Sequence, residues 1–218
     1  MRKFIIFTLV FICVKFCAGQ TDAAVFDTND DSESFLKLKE GVIKKEIAFF
    51  YNTVAFSNQP ATFPTQKVNK VSTVKCTDTS ALFSSKDLSV EITAARFDTA
   101  LHKLTYANKK RTFLLKIDGN PIWGTDGNIP RKKISRVAVT VGEHVFNLPA
   151  NALEGLYEPN FCYGSRNETE TAYCRVFIST DKQRIYIYME NSDGAGGYEV
   201  VWVIQHGHYL KRILDYGF

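Results

Sequence analysis

The C-terminal third of the chain is a succession of short β-forming runs joined by tight turns, and this pattern restricts the fold to antiparallel sheet. Arg175–Ser179 and Arg184–Met189 flank the polar loop 180–183, and Tyr198–Gln205 and His208–Leu214 flank the pair His206-Gly207. In Arg184-Ile185-Tyr186-Ile187-Tyr188 the two residue types alternate, so one strand face carries isoleucine and the other tyrosine. The same grammar runs upstream. Phe113–Ile117 leads into Asp118-Gly119, a pair that tolerates the positive φ of hairpin turns, and Pro121–Trp123 follows. Val137, Val139 and Val141 alternate with Ala138 and Thr140; Gly142-Glu143 reads as a type II′ turn, and His144–Leu148 returns. Leu88–Ile92 and Leu101–Tyr106 are further strand-like runs, so from Val71 onward the chain reads as strand after strand. Such short connections exclude βαβ units, whose crossovers take a dozen residues or more. The expected fold is mainly β, an antiparallel hairpin-rich sheet or a two-layer sandwich with one N-terminal helix packed on it. No repeat at a fixed period suggests a propeller or solenoid.

The helix is expected early. Phe35, Leu36, Val42, Ile43, Ile47, Phe50 and Val54 recur at helical spacings, which predicts a helix over 35–46. Segment 47–56 stays open between helix and strand, because Ile47, Phe49 and Tyr51 also alternate. Pro60 and Pro64 break regular structure across 57–70. Before the helix, 20–34 carries Asp22, Asp27, Asp30, Asp31 and Glu33 and reads as a flexible acidic leader ending in a cap, Ser32 or Ser34.

Residues 1–19 have the three-part order of a secretory signal peptide. Arg2 and Lys3 are followed by the eleven-residue apolar run Phe4–Val14 and then by Cys17-Ala18-Gly19. Phe16 stands where a lipoprotein signal carries Gly or Ala, so cleavage after Gly19 is expected instead of lipid attachment at Cys17. The organisation expected is signal peptide 1–19, leader 20–34 and a single β-rich domain over 35–218, secreted or periplasmic. Of 27 basic residues, Arg2, Lys3 and Lys15 leave with the signal, so 24 face 23 acidic ones and the net charge falls from +4 to +1. Much of the apparent basicity (pI ≈ 8.7) therefore belongs to the expected signal peptide. A nearly neutral chain has no electrostatic footprint for nucleic acid. The short runs Lys109-Lys110-Arg111 and Arg131-Lys132-Lys133 read as solvated turns. No later run is long and apolar enough for stable membrane insertion.

Cys76, Cys162 and Cys174 follow the signal, and an odd count leaves one thiol over. Local closure favours a Cys162–Cys174 bridge over one from Cys76 to either partner, because short loops cost less entropy to close. The loop so pinned carries Asn167-Glu168-Thr169, an N-glycosylation tripeptide, and reads as polar and exposed.

Signatures of chemistry are absent: no GxSxG, HExxH, Walker loop, GxGxxG, EF-hand loop or paired CxxC. Of the histidines His102, His144, His206 and His208, the pair His206 and His208 could donate two imidazoles to a metal, yet Gly207 between them marks a turn at which the side chains diverge. Asp118-Gly119, Asp126-Gly127 and Asp193-Gly194 could gather around calcium, yet Asp-Gly is also the commonest way to build a turn. No catalytic residue, metal or cofactor is expected. Trp123, Tyr186 and Tyr188, with Asp126 and Asp193 on loops, are the candidate binding residues. The simpler reading of the aromatics is that they fill the sheet face beneath the helix.

Trp123-Gly124-Thr125-Asp126-Gly127, Leu156-Tyr157-Glu158-Pro159-Asn160 and the stretch from Asn191 through Gly194-Ala195-Gly196-Gly197 to Phe218 resemble a set of uncharacterised exported proteins of Bacteroidetes-type bacteria. That resemblance covers the C-terminal half and implies a bacterial periplasm or exterior, with no activity to carry over. The expected function is an exported, non-catalytic binding or interaction protein, inhibitor- or immunity-like or ligand-binding, with a protein or glycan partner. The alternative is a secreted glycan-directed hydrolase using carboxylates such as Asp126, Glu158 and Asp193.

Overall fold

Among the described residues, nine of the twelve strands belong to one antiparallel sheet that curls until its two halves face each other. The computed structural model describes residues 34–39, 41–54, 64–162, 173–191 and 196–215. The segment expected to be a signal peptide, nearly all of the expected acidic leader, the tripeptide 167–169 and Asp193 lie outside the described residues. In chain order the elements are α1 (Gly41–Val54), β1 (Val68–Cys76), β2 (Ser80–Ser85), β3 (Leu88–Arg96), β4 (Leu104–Tyr106), β5 (Leu114–Ile117), β6 (Asn120–Pro121), β7 (Lys132–Val141), β8 (His144–Asn147), β9 (Cys174–Ser179), β10 (Arg184–Asn191), β11 (Tyr198–Gln205) and β12 (His208–Asp215). The large sheet runs β12-β11-β10-β9-β1-β2-β3-β7-β8, and β4-β5-β6 form a small second sheet.

The turn chemistry sets the register. His206 and Gly207 are both left-handed (φ 51° and 77°), as a type I′ hairpin requires, and Gln205 pairs with His208. Gly142 alone takes positive φ (59°) in the β7–β8 turn, which agrees with a type II′ turn. Two strands that sequence patterning did not delimit, β1 and β2, join the halves: β1 pairs with β9 on one side and β2 on the other. Strand β1 starts at Val68, inside the segment expected to be irregular, because its pairing with Ser179 through Val176 begins there.

Alternation along β10 sorts the core. Ile185, Ile187 and Met189 face the interior of the curl, where they meet Phe83, Val90, Ile92, Val137 and Val139 from the opposite half, together with Trp202 of β11. Tyr186 and Tyr188 point the other way and are buried under α1 with Phe177, Val201, Val203 and Ile213. The helix differs from expectation at both ends. A 3-10 turn occupies Phe35–Lys37, and α1 starts at Gly41 and continues to Val54 through the segment left open between helix and strand. Tertiary contact decides this: Ile43, Glu46, Ile47 and Phe50 fall on one helical face, and Phe50 stacks on Phe177 with centroids 4.5 Å apart. Full burial of Ile47 and Phe50 contributes roughly 1.5–3 kcal/mol each. Glu46, wholly buried, accepts a two-pronged ion pair from Arg184 at 2.7 and 3.0 Å and a hydrogen bond from the Tyr186 hydroxyl.

The disulfide joins Cys76 to Cys162, with 86 residues of sequence separation, and Cys174 is a buried free thiol. This corrects the expected Cys162–Cys174 bridge. Pairing of Cys174 with Met189 fixes it at the start of β9 with its side chain in the core, while Cys76 ends β1 beside the segment that carries Cys162. Burial pushes the Cys174 thiol up, which keeps it protonated and inert. No helix among the described residues is long and apolar enough to cross a membrane.

Candidate functional site

The small sheet leans against β7 and the segment 150–157, and between them lies an open cavity of about 350 Å³. Its chemistry begins at a turn. Asp118 and Gly119 are both left-handed (φ 54° and 87°) and connect β5 to β6 as a type I′ hairpin. In that conformation the Asp118 carboxylate folds back onto the neighbouring strand, accepting from the Lys103 amide at 2.7 Å and from His102 Nδ1 at 2.5 Å. The His102 hydrogen bond first, and then the Lys103 amide, hold Asp118 below the usual carboxylate range. An ionised carboxylate can only accept, so Nδ1 is the nitrogen that carries the proton. The other ring nitrogen, Nε2, faces Lys133 Nζ at 3.4 Å. His102 is held flat by Phe97, stacked at 4.6 Å, and Phe97 in turn meets Tyr157 edge-on at 5.5 Å.

Strand β7 delivers Lys133, Ile134 and Ser135 to the cavity. Ser135 is the extra residue of a bulge opposite Thr93 and Ala94, the kind of irregularity that re-aims side chains beside a site. The third wall, 150–157, is bonded on several sides. Ile134 donates to the Leu156 carbonyl, Tyr157 to the Trp123 carbonyl and Trp123 to the Gly155 carbonyl. Behind it, Trp202 Nε1 donates to the Ala152 carbonyl at 2.7 Å, and Arg212 reaches the Glu154 carbonyl at 2.6 Å. Gly155 (φ +79°) is required here, because a Cβ would sit 2.3 Å from the Trp123 ring. Glu154 accepts from the Asn120 side chain. Burial, with Asp118 and Glu154 nearby, pushes the Tyr157 phenol up to about 12, so it stays a hydroxyl donor at any physiological pH.

The candidate binding residues read from sequence lie elsewhere. Tyr186 and Tyr188 have no exposed surface, and Trp123 (7% exposed) is packed in the core. They do not form an aromatic binding face: the strand register turns both tyrosines under α1, and the simpler reading of a filled sheet face is the correct one. Trp123 acts on the cavity indirectly, as the ring against which Gly155 is set. Asp126 is exposed, but it borders Gly196 and not the cavity, and Glu158 bonds to the Arg131 amide and guanidinium. Among the described residues no group of three or more His, Cys, Asp or Glu could hold a metal ion.

The residues that do converge, His102, Asp118, Lys133, Glu154 and Tyr157, come from four separate stretches of chain, and no local motif marks them. One signal was available. Pairing Leu101–Tyr106 with Phe113–Ile117 as a hairpin sets Leu104 opposite Ile117, which brings 102 and 118 to the same end. Comparison of the chain with protein-family models, curated proteins and solved structures found no match.

Proposed function

We propose that the chain is an exported, non-catalytic binding protein whose ligand site is the cavity between the small sheet and β7. The observation that carries this reading is the fixed polar chain Asp118–His102–Lys133 set in an open cavity of about 350 Å³. That size falls within the range of small-molecule sites. Preorganisation supports binding: a type I′ turn, a β-bulge and a glycine-backed wall hold the polar groups before any ligand arrives. Both cavity carboxylates already have protein partners, Asp118 in His102 and Lys103, Glu154 in Asn120. Carboxylates committed in this way suit recognition better than the acid–base pair of a hydrolase. An exported location is supported by the Cys76–Cys162 disulfide, since such bonds persist in oxidising compartments.

Thermal shift with a chemically mixed library of sugars, amino acids, nucleotides and organic acids tests the reading. Some compounds should raise the Tm of the wild type and lose that effect in Lys133→Met, a change at a partly exposed position that leaves the core intact. A library without a single hit, or hits retained in Lys133→Met and in His102→Gln alike, would overturn it.

A further inference from the structure

We infer that the cavity takes a neutral carbohydrate, a single pyranose ring held by Lys133, Asp118 and Glu154 around Tyr157. This rests on the proposal that the cavity is a binding site and adds the class of its ligand. Charge balance is the first argument. The lining carries one lysine and two carboxylates, so an anion that approaches Lys133 also meets Asp118 and Glu154, while a cation drawn to the carboxylates meets Lys133. Either net charge places like charges side by side in a confined site, and a neutral polar molecule avoids both conflicts.

Hydrogen-bonding capacity is the second argument. A carboxylate has about four lone-pair positions. Asp118 uses positions for His102 and Lys103, and Glu154 uses one for Asn120, so both retain acceptor capacity toward the cavity. Lys133 has three N–H donors on Nζ and faces His102 Nε2 with one of them. The cavity therefore offers acceptors from the small sheet and from the segment 150–157, and donors from β7. A sugar hydroxyl is both donor and acceptor, and adjacent ring hydroxyls can give to a carboxylate while receiving from an ammonium. Few other neutral metabolites present that pairing on successive atoms.

Shape and apolar surface are the third. Ile117, Leu153 and Tyr157 also line the cavity, giving the C–H face of a pyranose apolar surface beside the polar groups. Tyr157 is immobilised by Phe97, so this surface is fixed before binding.

Saturation-transfer NMR on the full exported chain at pH 7 tests the inference. The probes are the methyl glycosides of glucose, galactose, mannose and N-acetylglucosamine, with glucuronate and glucosamine as charged counterparts. At least one neutral glycoside should bind, its affinity falling tenfold or more in Lys133→Met and in Asp118→Asn, while each charged counterpart binds several-fold more weakly. A chain-terminal sugar is the source if the matching disaccharide binds tighter than the methyl glycoside, and a free sugar if it does not. Absence of binding by all four neutral glycosides overturns the inference, as does tighter binding of glucuronate or glucosamine. Library hits that are all non-sugars leave the binding proposal standing and remove only this one; no hits of any kind remove both.

Discussion

Glu199 shows how one side chain can set the acid–base behaviour of the fold. It sits in β11 between Glu190 of β10 and Asp215 of β12 in direct cross-strand register, with Tyr51 and Tyr188 beside it. Burial, and then the neighbouring charges of Glu190 and Asp215, push its carboxyl up from 4.5 to about 7. A pKa raised on folding stabilises the native state below the unfolded value, and that contribution disappears as pH rises through the folded value. Stability should therefore be greater at pH 5 than at pH 8, by on the order of 3 kcal/mol from this group. Urea unfolding at the two pH values checks it, and Glu199→Gln should flatten the difference; an unchanged slope in that variant would assign it to another group. The buried pair of Glu46 and Arg184 gives a second prediction at this scale. Arg184→Met leaves a wholly buried carboxylate without its cation and should cost about 3–5 kcal/mol in the same assay. A loss below about 1 kcal/mol would mean that Glu46 is neutral or rehydrated in the variant.

At the scale of elements, hairpins were legible and their partners were not. Strands β8 to β12 coincide with runs read beside a Gly-containing or polar turn, because turn chemistry is local. Strand β7 was legible only over Val137–Val141; it starts at Lys132, inside a basic run that reads as a turn, because its pairing with β3 extends to Arg96. The join of β1 to β9 depends on residues a hundred apart, and nothing local in Val68–Cys76 specifies it. The same limit misled the cysteine pairing, where short-loop closure pointed to Cys162–Cys174 and strand register decided otherwise. The cavity residues were visible one by one, Asp118 as a turn residue and Lys133 as part of a basic run, but their convergence is a property of packing. Two predictions belong here. The Cys76–Cys162 bridge spans 86 residues of sequence and should contribute about 4–5 kcal/mol by the chain-entropy account. An unreduced digest should yield the Cys76–Cys162 peptide, with Cys174 alkylated only after denaturation; a peptide containing Cys174 in a disulfide contradicts this connectivity. Gly155→Ala should cost roughly 1–3 kcal/mol, from a left-handed backbone and the clash with Trp123. Its Tm, compared with that of Gly119→Ala, where a Cβ meets nothing within 4 Å, separates the clash from the backbone strain that both share.

For the molecule as a whole, the curled sheet distributes protection unevenly. Strands β10 and β11 are covered on both faces, by the opposite half of the sheet on one side and by α1 on the other. They are also flanked by strands on both edges, so their amides have no route to solvent short of breaking two cores. Strands β8 and β12 stand at the two ends of the sheet order, and the small β4-β5-β6 sheet rests on a buried cluster of Phe97, Leu114, Ile117 and Tyr157, smaller than either core of the large sheet. Local opening free energies scale with the contacts that must break, so hydrogen exchange should fall into tiers. Amides of β10 and β11 should exchange only through global unfolding, and their protection should fall in step with urea unfolding when Arg184→Met weakens the seat of the helix. Amides of β4 and β5 should exchange orders of magnitude faster and be insensitive to that substitution. Ile117 at the end of β5 lines the cavity, with His102 and Asp118 flanking the β4–β5 pair, so a ligand bridging Asp118 to Lys133 should slow these amides while leaving β10 and β11 nearly unchanged. Mass-spectrometric exchange with and without a bound glycoside measures this, and uniform slowing of all strands would mean that the small sheet opens only with the whole protein.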